Sequence, residues 1–170
     1  MRNIWLIGLI VILGVLLSCN TTAITHGVST TASTKRYEVV NRSFGNWFDA
    51  KTEAERRGGY LAAINSREEQ VLIENMIARD GNKDTYWIGG YCGNDRVWQW
   101  VTGERFEYSN WMQGEPNNSC GIEDKIVILR IPHPDVRSSR FGQWNDVPAN
   151  WNIAGYRDNI VNVGYIIEWD

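Results

Sequence analysis

At 170 residues, with 43% of them hydrophobic, the chain has enough apolar material for one packed domain plus tails and is not a disordered polymer. A formal net charge of −3 supplies no broad basic surface, which argues against nucleic acid as the main partner. Nine tryptophans are many for this length. Most should be core, since each ring buries a large apolar area, but a surplus of aromatic rings also suits carbohydrate binding.

The first segment reads as an export signal rather than part of the fold. Arg2 gives a small positive start, and Ile4 to Leu17 form a nearly unbroken apolar run. That run is short for a membrane span, which needs about 20 apolar residues, and fits the apolar stretch of a signal peptide. It ends Leu16-Leu17-Ser18-Cys19, which resembles a bacterial lipobox and makes Cys19 the expected lipidation site. Residues 1–19 are then a lipoprotein signal peptide on an exported protein anchored to a bacterial membrane or cell surface. An ordinary cleaved signal, giving a secreted protein, and an uncleaved anchor are the alternatives. Residues 20–35, rich in Ser and Thr and without apolar periodicity, read as a tether, and 36–170 as the folded domain.

Within that domain Tyr37-Glu38-Val39-Val40 predicts a short strand. Asn46 is placed to cap a helix with Asp49 in its first turn, Trp47, Ala50 and Ala54 on one face, and Gly58-Gly59 at its end. Ser66 and Glu69 have the spacing of a capping box, opening a helix expected to bury Leu72, Ile73, Met76 and Ile77 and to stop at Gly81. The period then changes. Residues 86–89, 97–101, 125–131 and 163–169 read as strands, separated by long polar stretches rich in Gly, Asn, Asp and Pro. Two helices followed by strands and long loops indicate an α+β domain. Loops of that length inside a small domain are usually functional or held by something other than apolar packing.

Those loops gather oxygen donors. Glu115, Asn117, Glu123, Asn145 and Asp146 offer three carboxylates and two amides. Calcium takes six to eight oxygen ligands of these types, and three carboxylates converging without a cation would repel one another. For any one of these residues, satisfying a turn is the commoner role. Catalysis is not expected. His26 falls in the tether and His133 in a polar insertion, so neither a Ser-His or Cys-His pairing nor a zinc cluster is suggested.

The ordered landmarks carry more than any single tripeptide. Trp47 and Ala50 are followed by Gly58-Gly59-Tyr60-Leu61-Ala62, then Trp87-Ile88-Gly89, then Trp98, Trp100, Gly103 and Tyr108-Ser109-Asn110-Trp111. Next come Gly114-Glu115-Pro116-Asn117, Glu123-Asp124, Gly142-Gln143-Trp144-Asn145-Asp146 and Gly164-Tyr165-Ile166-Ile167-Glu168. In this order the set resembles the C-type lectin family over nearly everything after the tether. The resemblance implies an α+β fold of two helices flanking small antiparallel sheets, with a long calcium-binding loop region. It also implies that Glu115, Asn117, Glu123, Asn145 and Asp146 hold Ca2+ and bind the sugar, and that the Glu115-Pro116 bond is cis. The Glu-Pro-Asn order resembles members that prefer equatorial 3- and 4-hydroxyls, as in mannose, glucose, N-acetylglucosamine or fucose. A protein-binding or structural module on the cell surface is the alternative, because fold does not fix function.

The chain also departs from the family pattern. Ala54 and Ile167 stand where one disulfide is usual, and Lys125 replaces a cysteine of the second pair. Cys92 and Cys120, both flanking the calcium loops, are left to form a different bridge. A second calcium set, Asp95, Glu123 and Asp124, is incomplete, with Tyr91 and Asn118 where further acidic ligands are expected. Segments 132–140 and 150–162 are longer than family habit, and Trp151 is either a sugar-stacking ring or core. Asn20, Asn41 and Asn117 lie in N-x-Ser/Thr sequons, so in a glycosylating source a glycan on Asn117 would obstruct the expected site.

Overall fold

The computed structural model of the protein describes residues 35–43, 46–131, 140–151 and 162–170. The signal segment with Cys19, the tether up to residue 34, and residues 132–139 and 152–161 of the two long insertions lie outside the described residues.

Two short polar side chains start the helices. α1 (Trp47–Arg56) begins where Asn46 Oδ1 accepts from Asp49 N at 2.8 Å, and α2 (Arg67–Asp80) where Ser66 Oγ accepts from Glu69 N at 3.1 Å. The reciprocal half of the expected capping box is absent. The Glu69 carboxylate accepts from Asn65 N at 2.7 Å and pairs with Lys35 at 3.2 Å, drawn past the cap by the lysine charge. The buried face of α2 also differs from expectation. Gln70, Ile73 and Ile77 are buried whereas Leu72 is 45% exposed; Gln70, three residues before Ile73 and seven before Ile77, shares their stripe.

The strands are β1 (Arg36–Val40), β2 (Tyr60–Leu61), β3 (Thr85–Cys92), β4 (Trp98–Trp100), β5 (Lys125–Leu129), β6 (Trp144–Val147) and β7 (Val163–Trp169). They form one sheet in the order β1-β7-β3-β5-β6, with β2 paired to β7 and β4 to β3. Small antiparallel sheets are therefore replaced by a single mixed one, since β3 and β7 run parallel while the other pairs are antiparallel. Sequence alternation sorts the side chains onto two faces. Tyr86, Ile88, Ile126, Ile128 and Ile166 join Ile73 and Ile77 of α2 in one apolar cluster. Trp87, Val127, Leu129, Tyr165 and Ile167 join Trp47, Ala50 and Ala54 of α1 in the other. Both faces are covered, so the central strands read as continuous apolar runs rather than as alternating ones. Ala54 and Ile167, where the family resemblance places a disulfide, are both fully buried in the second cluster.

The ends of the domain are tied by charge. Glu168 on β7 is fully buried, accepts from Ala63 N at 2.8 Å and pairs with Lys35 at 2.8 Å. Lys35 also meets Glu104 at 3.0 Å. Trp151 belongs to the core: it is 7% exposed and stands edge-on to Trp87 with centroids 6.4 Å apart.

Candidate functional site

The loop from Asn110 to Asp124 is laced to β6, which the sequence presented as part of a polar loop and which folds as a four-residue strand against β5. Trp144 N donates to Asn110 O at 2.8 Å and Met112 N donates to Trp144 O at 2.8 Å. The chain then turns at Gly114, whose φ of +93° is a left-handed conformation that glycine adopts without strain. Glu115 N closes that turn on Met112 O at 3.0 Å. The Glu115-Pro116 peptide is cis, as the family resemblance implied.

Beyond the proline, side-chain oxygens hold the backbone. Asp146, fully buried, accepts from Asn117 N through Oδ1 at 3.0 Å and from Asn118 N through Oδ2 at 2.8 Å. Glu115 Oε2 also accepts from Asn117 N at 3.0 Å. Asn118 has a φ of +48°, and its Oδ1 accepts from Glu123 N at 3.1 Å. Glu123, itself buried, accepts through Oε2 from Ser119 N at 2.6 Å across the 3-10 turn Ser119–Gly121. Sequence reasoning treated Asn118 only as a missing acidic ligand. The structure makes it the joint between the Asp146 and Glu123 bonds, and its place between two ligand candidates was the available signal.

Glu115 and Asp146 are brought into side-chain contact. Burial, then a side-chain hydrogen bond with Asp146, then the Asp146 charge push the Glu115 carboxyl up to about 7, with a smaller contribution from Glu123 and an opposing one from the Asn117 N–H. On β6 the neighbouring Asn145 is 9% exposed, and its Oδ1 is a buried acceptor without a hydrogen-bond partner. A buried amide oxygen left without a partner on Asn145 and, on the next residue of the strand, an Asp146 carboxylate in contact with Glu115 are groups that a hard cation would satisfy and neutralise. Each carboxylate oxygen bonded to one N–H retains acceptor capacity for such an ion. Among the described residues, no three His, Cys, Asp or Glu side chains already form a metal cage. Glu115 and Asp146 meet directly, while Glu123 is turned to Ser119 N and Asn117 is on the exposed rim.

The second set is differently employed. Asp95 Oδ1 accepts from Val97 N at 3.2 Å within its own turn. Asp124 pairs with Lys125 at 2.6 Å, and the Lys125 ammonium lies 5.1 Å from the Trp47 ring centroid and 5.4 Å from that of Phe48. An internal ammonium thus already partners one of the three carboxylates. The expected Cys92–Cys120 bridge is not formed. Both are free thiols, Cys92 buried at the end of β3 and Cys120 exposed on the 3-10 turn with a φ of +57°.

Comparison with known proteins gives the same family. The family model "Lectin C-type domain" matches residues 44–153. Ladderlectin of Oncorhynchus mykiss is 40% identical over 85 residues, which are 49% of this chain and 45% of ladderlectin. A perlucin-like protein of Mytilus galloprovincialis is 30% identical over 139 residues, covering 78% of this chain and 83% of that protein. Both are animal proteins, and the chain spans less than half of the first. Among solved structures, the mouse scavenger receptor C-type lectin carbohydrate-recognition domain is 27% identical with a TM-score of 0.59, over 80% of this chain and 90% of that one. With a mixed sheet between two helices, a long loop bound to β6 and a family match over most of its length, the chain belongs to the C-type lectin domain family.

Proposed function

We propose that this domain binds carbohydrate through a calcium ion held by Glu115, Asn117, Glu123, Asn145 and Asp146. The observation that carries the reading is the Glu115–Asp146 contact, where burial and then Asp146 push the Glu115 carboxyl up to about 7, together with the unpartnered buried oxygen of Asn145, the residue before Asp146. Bonds to the Asn117 and Asn118 N–H groups account for each carboxylate singly, whereas a cation site also uses their juxtaposition and the unpartnered amide oxygen. Calcium, when bound, supplies coordination positions for two neighbouring hydroxyls of one sugar. The carboxylates of the same residues accept hydrogen bonds from those hydroxyls and the amides donate to them, and the charged partners make the stronger bonds.

The Glu115-Pro116-Asn117 order supports glycans with equatorial 3- and 4-hydroxyls of the mannose, glucose, N-acetylglucosamine or fucose type. One sugar on a shallow site binds weakly, because little of it leaves water. Useful avidity then comes from many copies meeting a multivalent glycan, which display through a lipid on Cys19 would provide.

The test is a glycan array probed with and without a calcium chelator. Signal on mannose-type glycans that chelator abolishes is expected. Calcium-independent capture of a protein partner, with no glycan signal, would contradict the reading and favour a protein-binding module.

A further inference from the structure

Gln70 is a fully buried polar side chain on the face of α2 that otherwise presents Ile73 and Ile77 to the core. Burying an amide is costly unless its hydrogen bonds are met, and all of those found here are specific. Gln70 Oε1 accepts from Trp144 Nε1 at 3.0 Å. Its Nε2 donates to Gly142 O at 2.7 Å and to Glu74 Oε1 at 2.8 Å. Asn110 Nδ2 donates to the same Gly142 oxygen at 2.9 Å. Gly142 fits tightly here, since a β-carbon on it would stand 2.2 Å from Glu74 Oε1.

The strand these bonds fasten is the outermost in the sheet order, next to β5 alone. Its first residue is a junction. Trp144 bonds by its backbone to Asn110 and Met112, and its fully buried indole meets the rings of Trp100, Phe106, Tyr108 and Trp111 with centroids 5.7 to 6.1 Å away. Aromatic contacts fix where the ring lies but tolerate rotation within its plane. A hydrogen bond to the indole N–H does not. The next two residues are Asn145 and Asp146, and Asp146 in turn holds Asn117 and Asn118.

We propose that Gln70 positions the calcium-binding edge of β6, acting through Trp144 and the Gly142 carbonyl to set the rotation of the strand that presents Asn145 and Asp146. The proposal rests on the calcium reading above and names a determinant of affinity on a helix that touches no ligand. Removing outer partners that orient metal-binding groups typically weakens metal binding by about 10–100-fold.

The test compares Gln70→Met, similar in length but unable to make any of the three bonds, with Ile77→Val on the same buried face, in the full chain. Two quantities are read: the calcium dissociation constant by titration, and the exchange protection of the Trp144 indole proton by NMR in metal-free protein. Gln70→Met should weaken calcium binding by about tenfold or more and expose the indole proton to exchange. Ile77→Val should lower Tm while leaving the calcium constant within about twofold and the indole proton protected, as expected for a small core truncation. Gln70→Glu, which keeps the acceptor for Trp144 but loses the donors to Gly142 and Glu74 and faces the Glu74 carboxylate, should retain indole protection and bind calcium more weakly than the wild type but more tightly than Gln70→Met; either folded variant decides the question. Wild-type affinity in a folded Gln70 variant overturns the proposal and leaves the site reading standing. A wild-type chain that binds no calcium overturns the site reading itself, and this proposal with it.

Discussion

At the scale of single residues, Glu115 has the sharpest consequences. Its carboxyl, pushed up to about 7 by burial and by Asp146, lies above the ordinary value of 4.5. A carboxyl raised in the folded state stabilises the fold fully only below its unfolded value, and that contribution is lost as pH rises through about 7. The metal-free domain should therefore lose stability from about pH 5 to about pH 8. Glu115→Gln, which removes one of two adjoining charges, should flatten that decline in Tm while abolishing the gain from calcium. A Glu115→Gln domain whose Tm still rises with calcium as in the wild type would count against Glu115 as a ligand. The same carboxyl links cation and proton. At pH 6 calcium must displace a proton from it, and well above 7 it need not. Titration calorimetry in buffers of differing ionisation enthalpy should show proton release at the lower pH and almost none at the higher. Equal proton release at both would separate Glu115 from the cation.

Secondary-structure elements show how much was legible before folding. Asn46 and Ser66 announced both helix starts because a cap is a local event, decided within four residues. β7 was visible at its full extent, since a strand covered on both faces is a plain apolar run. β6 was not. Its four residues, Trp-Asn-Asp-Val, carry two polar side chains, and only pairing with β5 and the Asn110–Met112 segment makes them a strand. The candidate ligands were legible as a chemical set, whereas their unequal assembly was not: it depends on backbone N–H groups of Asn117, Asn118 and Ser119 claiming carboxylate oxygens first. Leu72, expected in the core, is exposed and Gln70 is buried, where its side chain gives the Trp144 indole an acceptor. Trp151 likewise resolved as packing. Trp151→Ala should cost roughly 3–5 kcal/mol of stability, the usual range for an aromatic core truncation, with sugar affinity unchanged in the folded fraction. Selective loss of sugar binding at unaltered Tm would restore it as a stacking ring.

Over the whole molecule, a two-faced sheet supplies rigidity and its loop edge supplies chemistry. Cys92 and Cys120 form no bond that could stand in for the disulfides the family resemblance implies. Covalent closure gives way to packing at Ala54 and Ile167 and to ion pairs of Lys35 with Glu69, Glu104 and Glu168. The loop that carries Glu115 to Glu123 has no covalent brace among the described residues, so a bound cation should be a large part of what orders it. Calcium at 100 times its dissociation constant stabilises a folded state by about 2.7 kcal/mol, which for a domain of this size is roughly 5–10 °C in Tm. Chelator should reverse that rise, and a melting curve indifferent to both would mean that the loop is held without metal.

Calcium titration of the protein by calorimetry, with and without mannose, tests the central claim most directly. One saturable calcium site, with heat of sugar binding only when calcium is present, is the expected result. Absence of calcium binding would leave the C-type lectin fold in place and contradict the proposed mechanism.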